Sequence, residues 1–172
     1  MSDVDEDSSV HNGHYEVEVI VNRPIAQVWR QFLDIPSWVT SHYIECVHGE
    51  PGTEGCITRV SFKKAKEMNF PPAHYHYCKF IKVIPERQWI LKTYAERGGS
   101  YGVKEFHTFD DGRVFAVNAD RTRVVFNLFT ESQVQGLTKD TAAGALDVSR
   151  QGMQENLENL KRIVEAQPRH SR

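Results

Sequence analysis

The chain has 172 residues, 40% of them hydrophobic and 26% charged, which is the size and make-up of one globular domain with a real core. A formal net charge of −2 excludes the basic footprint of a nucleic-acid binder, and no apolar run reaches membrane-spanning length.

Residues 1–13 carry Asp3, Asp5, Glu6 and Asp7 among serines and read as a solvated, disordered acidic tail. They lack the basic-then-apolar layout of a signal peptide. Cys46, Cys56 and Cys78 have no C-x-x-C spacing and read as reduced thiols, so a cytoplasmic location is expected.

A single domain is expected over residues 14–166. His14 to Asn22 alternates Tyr15, Val17, Val19 and Val21 against Glu16 and Glu18, the pattern of a half-buried strand. Pro24 then opens a helix with Ile25, Val28, Trp29 and Phe32 on one face, and Asp34-Ile-Pro36 starts a second short helix. From Ile44 onward only strands and turns follow: strands near 44–48, 55–63, 75–83, 88–95, 101–109 and 121–129, with 113–117 pairing briefly. Pro85-Glu-Arg87, Gly98-Gly99 and Asp110-Asp-Gly112 read as turns. Turn signals without crossover helices argue an antiparallel meander.

Thr138 to Ala166 is a long helix, with Thr138 or Asp140 as N-cap and a stripe of Ala142, Leu146, Met153, Leu157, Leu160 and Val164. Its first half is lined by small residues and its second by large ones. That taper fits either a hollow beside the sheet or close helix–sheet packing. Gln167 to Arg172 reads as a frayed basic tail. The fold class is α+β: a curved seven-stranded antiparallel sheet around the long C-terminal helix, with two short helices after strand 1.

This order resembles the START/Bet v 1-like (SRPBCC, helix-grip) superfamily over nearly all of residues 14–166. The segment Val21-Asn-Arg-Pro-Ile-Ala-Gln-Val-Trp-Arg-Gln-Phe32 is similar to its first helix, Asp34-Ile-Pro-Ser-Trp38 to its second and Val83-Ile-Pro-Glu-Arg87 to its hairpin turn. Gly52-Thr-Glu-Gly55 stands before the third strand, as in the family. Residues 66–108 faintly resemble plant abscisic acid receptors and polyketide cyclase/dehydrase-like proteins. Lys66 to Ala73 falls at the receptors' gate loop and Gly98 to Tyr101 at their latch. The gate sequence differs, and Tyr101-Gly102 replaces the latch histidine-arginine pair, so the resemblance implies a mobile entrance and not the hormone.

Phased by that resemblance, the cavity-facing set is Val60, Phe62, His76, Cys78, Phe80, Ile90, Lys92, Tyr94, Phe106, Thr108, Val125 and Asn127, with Tyr101, Leu146 and Met153 beside it. A slip of one residue would exchange strand faces. His76, Lys92 and Tyr94 are the candidate catalytic groups: a histidine base, a desolvated lysine and a phenol donor. Against this, Lys92 also reads as an outward solvated lysine and His76 as a wall residue. His74-x-His76 has metal-like spacing, but no carboxylate or cysteine stands at a telling distance, so neither metal nor cofactor is expected.

Two functions follow. One is binding of a small hydrophobic or aromatic ligand, lipids included, in a cavity between sheet and C-terminal helix. The other is a cofactor-independent acid–base enzyme of cyclase, aldolase or lyase type acting on an aromatic or polyketide-like substrate there. A partner-regulating domain is a third reading. The expected partner is the small molecule, with no nucleic acid or membrane, and a homodimer is left open.

Overall fold

The computed structural model describes residues 10–63, 76–94, 103–134 and 139–169. Strand β1 (Val10–Val21) runs into two short helices, α1 (Ile25–Leu33) and α2 (Ile35–Trp38). Then come β2 (His42–His48), β3 (Ile57–Phe62), β4 (His76–Ile84), β5 (Gln88–Tyr94), β6 (Val103–Asn118), β7 (Arg121–Val134) and the long helix α3 (Lys139–Ala166). All strands join one antiparallel sheet in the order β1-β7-β6-β5-β4-β3-β2. The edges are therefore β1 and β2, consecutive strands in sequence, and α1 and α2 span the distance between them. The sheet curves around α3, as the sequence led one to expect. No helix among the described residues is long and apolar enough to cross a membrane.

The core forms where large apolar side chains meet. Helix α1 buries Val28, Trp29 and Phe32, and α3 buries Leu157, Leu160 and Val164 completely. Each such side chain contributes about 1.5–3 kcal/mol of transfer free energy. The Phe32 ring lies 5.5 Å from Trp38 and 5.1 Å from Trp89, and Trp38 Nε1 donates to the Phe32 carbonyl at 3.1 Å. Gly112 faces Trp89 in register on β6. A Cβ at Gly112 would sit 2.3 Å from Trp89 Cε2 and 2.7 Å from Phe32 Cζ, so only glycine admits the indole.

Three expectations need correction. β1 begins at Val10, inside the stretch read as tail, because Val10 to Gly13 pair with Gln133 to Thr130. Asp110-Asp-Gly112 makes no turn: β6 runs straight through it, with Asp110, Asp111 and Gly112 opposite Leu128, Asn127 and Phe126. The chain reverses instead after Asn118, whose Oδ1 accepts the Asp120 amide at 3.0 Å. Gln167 and Pro168 are tied down. Arg23 donates to the carbonyls of Glu165 and Gln167, Gln27 Nε2 donates to the Pro168 carbonyl at 3.2 Å, and Gln167 Nε2 donates to Gln31 Oε1 at 2.6 Å.

The rest of the acidic segment (1–9), the expected gate at 66–73, His74, the expected latch at 98–101 with Tyr101, Thr138 and residues 170–172 lie outside the described residues. So do the side chains of Phe62, Tyr94, Phe106 and Asp140.

Candidate functional site

Alternation along each strand sends every second side chain to the concave face. There the sheet, α1, α2 and α3 bound a cavity of about 620 Å³, within the usual range of small-molecule sites. Most of its wall is apolar, including Leu33, Ile44, Val60, Phe80, Leu91 and Leu128.

One row across the floor is polar. Thr58, Cys78, Thr93 and Thr108 are successive register partners on β3, β4, β5 and β6, and all four line the cavity. Cys78 Sγ and Thr93 Oγ1 are 3.3 Å apart, Thr58 Oγ1 donates to the Cys78 carbonyl at 3.4 Å, and Thr108 Oγ1 donates to Thr130 Oγ1 at 3.2 Å. The row thus largely satisfies itself and still offers hydroxyl oxygens to a guest.

Asp110 sits two residues further along β6, also on the cavity wall, between Leu91 on β5 and Leu128 on β7. Its Oδ1 is buried and has no hydrogen-bond partner among the described residues. Burial pushes this carboxyl up to about 7, and no cation among the described residues offsets it. Its charge is felt nearby. Burial first, and Asp110 with it, raise the Tyr15 phenol and the Cys78 thiol to about 12 each. The Tyr15 hydroxyl, from β1, lies 3.1 Å from Ser149 Oγ on α3, which ties helix to sheet at the cavity edge.

His42 and His76 stand at the other end of the floor, and both line the cavity. Burial lowers His42 to about 4, with His76 and Lys63 adding repulsion, so His42 is neutral at pH 7. Cys46 and Cys56 also reach the wall with their sulfurs 3.3 Å apart. Burial, then Cys46, raises the Cys56 thiol to about 11, which keeps it protonated and unreactive at neutral pH. Among the described residues no three His, Cys, Asp or Glu side chains come together as metal ligands.

Of the residues singled out in the sequence, Val60, His76, Cys78, Phe80, Thr108 and Met153 line the cavity. Leu146 packs against the core beside it without reaching its wall. Ile90, Lys92, Val125 and Asn127 do not face it, and this corrects the expected phase of β5 and β7. Trp89, Leu91 and Thr93 point inward on β5, and Phe126 and Leu128 on β7. Lys92 instead lies outside, its ammonium 5.6 Å over the Phe109 ring. Asn127 Oδ1 is 3.1 Å from His14 Nε2, and Val125 occupies a row with Glu18 and Arg113. The physical reason is that both alternations of these strands are largely apolar, so residue type does not choose between them.

Sequence reasoning missed Asp110, Tyr15, Thr93 and Trp89 as cavity residues. Tyr15 had a signal, its place on the apolar face of β1. Asp110 had none, because Asp-Asp-Gly is turn chemistry until non-local pairing overrides it.

No protein-family profile matches the chain, and no curated protein matches it. Solved structures do. The Zhui aromatase/cyclase from Streptomyces sp. R1128 is 17% identical, over 90% of this chain and 94% of that one, with TM-score 0.69. Norcoclaurine synthase from Thalictrum flavum, in complex with dopamine and hydroxybenzaldehyde, is 15% identical over 98% and 95%, with TM-score 0.63. Ara h 8.0201 is 14% identical over 92% and 100%, with TM-score 0.61. Likeness at this level of identity carries the architecture, and function has to be argued from the site. In architecture, this chain has the Bet v 1-like helix-grip fold.

Proposed function

We propose that the chain encloses a small, uncharged, largely aromatic ligand between the sheet and α3. The observation that carries this reading is the cavity of about 620 Å³ whose mostly apolar wall is crossed by a row of three threonine hydroxyls and the Cys78 thiol. Apolar walls supply affinity and a few placed polar groups supply orientation. An aromatic body with one or two oxygen substituents matches both. Dopamine and hydroxybenzaldehyde, the compounds in complex with norcoclaurine synthase, are both oxygen-substituted aromatics, which supports the same class of ligand here.

The test is thermal unfolding against phenolic, polyketide-like and fatty-acid panels. A ligand at a hundred times its Kd stabilises the folded state by about 2.7 kcal/mol, which raises Tm by about 5–10 °C in a domain of this size. Val60→Trp, which intrudes on the cavity from β3, should reduce the shift. Equal shifts in wild type and Val60→Trp would place binding elsewhere, and no shift with any panel would end the reading.

A second reading is a cofactor-independent acid–base enzyme on the same kind of molecule. It is favoured by titratable groups, His76 and Asp110, in the cavity wall. Lys92 drops out of it, since it lies on the outer face. Turnover of a phenolic or polyketide-like compound that stabilises the protein separates enzyme from carrier.

A further inference from the structure

We infer that Asp110 is the cavity's proton-transfer group, acting as a general base on an aromatic guest that carries an acidified C–H or O–H. This rests on the ligand-binding reading above and goes beyond it, because it assigns a reaction class and a residue.

Three observations meet at this carboxyl. It lies on the cavity wall, unlike its neighbour Asp111, which points to the other side of the sheet and is held there, buried, by Arg113 at 2.7 Å and Gln88 at 2.9 Å. Its Oδ1 is buried without a partner among the described residues, so no hydrogen bond from them stabilises charge on that oxygen. Its flanking residues on the paired strands, Leu91 and Leu128, are apolar, which keeps the carboxylate poorly solvated and therefore basic.

The surrounding charges do not oppose this. Tyr15 from β1 and Cys78 from β4 are both held protonated, and they sense Asp110 without supplying a cation. Ser149 and Met153 are the α3 residues at the wall, and neither titrates. Arg30 and Asp34 come from the α1 side, while His42 and His76 lie at the far end of the floor. A base whose pKa sits near the working pH combines an adequate ionised fraction with adequate proton affinity. The carboxyl's value of about 7 meets that condition.

A probe that needs only a base in an apolar pocket is 5-nitrobenzisoxazole. The Asp110 carboxylate takes the proton from the ring carbon, and the freed electron pair becomes the second π bond of a nitrile. The N–O bond breaks to give the coloured cyanonitrophenolate, and the proton leaves Asp110 for water. No oxidant or cofactor enters. The expected result is saturable turnover whose kcat/KM rises with pH to a plateau, with an apparent pKa near 7. Asp110→Asn should lose about a hundredfold or more, and the outward-facing Asp111→Asn should lose nothing. If Asp110→Asn fails to fold, Asp110→Ala replaces it, and added acetate should restore part of the rate.

Binding is measured in parallel with the unreactive isostere 6-nitrobenzotriazole by thermal shift. Stabilisation without turnover, or turnover that survives Asp110→Asn, overturns the assignment of Asp110 and leaves the ligand reading standing. Absence of stabilisation by the isostere and by every panel compound overturns both.

Discussion

The two ends of the space between sheet and α3 are built differently. At one end Val21, Val28, Phe32, Val124, Leu157, Leu160 and Val164 are all essentially inaccessible to solvent, and Trp38, Trp89 and Phe126, equally buried, form the boundary with the cavity. At the other, Ile44, Val60, Leu146 and Met153 are only partly buried, and the wall carries hydroxyls, two histidines and a carboxyl. One helix and one sheet serve both ends. The difference comes from side-chain volume along α3, where Leu157, Leu160 and Val164 fill the gap and Ser149 and Met153 do not. The packed end supplies the stability that lets the other end stay hollow.

Substitutions should report this contrast. Leu160→Ala at the packed end should cost about 3–4 kcal/mol in urea unfolding, from lost burial and a residual void. A cost below about 1 kcal/mol would show that the packed end is loose as well. Gly112→Ala forces its methyl into Trp89 and Phe32 and should cost about 2–3 kcal/mol. It should also redden or broaden tryptophan fluorescence, and an unchanged spectrum would argue against the tight seat.

At the hollow end, Asp110 should make stability depend on pH with a defined sign. Its folded carboxyl ionises near 7, whereas the unfolded one ionises near 3.8. Between those values the folded state holds a proton that the unfolded state has lost. Stability from this group is therefore full below about pH 4, falls as pH rises to about 7 and is level beyond. Asp110→Asn should be more stable than wild type at pH 8 by on the order of 2–3 kcal/mol, with the difference closing towards pH 3.5. Parallel curves for the two proteins would mean that the carboxyl is well solvated. The smallest effect is expected for Met153→Ala, under about 1 kcal/mol, because the cavity already borders that side chain. It should nevertheless alter which panel compounds bind, and a loss as large as that of Leu160→Ala would erase the distinction between the ends.

Much of this architecture is legible in the amino acids. The alternation Tyr15, Val17, Val19, Val21 places β1, and the stripe Leu157, Leu160, Val164 places α3, because each pattern is strong and one-sided. The site was harder. On β4 the expected phase agrees with the inward direction of Cys78 and Phe80, but on β5 it does not. Trp89, Leu91 and Thr93 compete with Ile90, Lys92 and Tyr94, and both sets suit a strand. Only pairing across the sheet decides, and pairing is non-local. Asp110 was hidden by the same cause: three residues with turn chemistry become mid-strand once β7 lies beside them.

The knot of bonds from Arg23, Gln27 and Gln31 to Glu165, Gln167 and Pro168 has a practical meaning for anyone handling this protein. A truncation drawn at the last helical residue would strip acceptors from a half-buried guanidinium and a buried amide. The segment behaves as a buckle on a belt: trimmed, it would loosen the helix from the strand-to-helix corner that anchors it. Deletions, and fusions that displace these residues, therefore belong beyond Pro168.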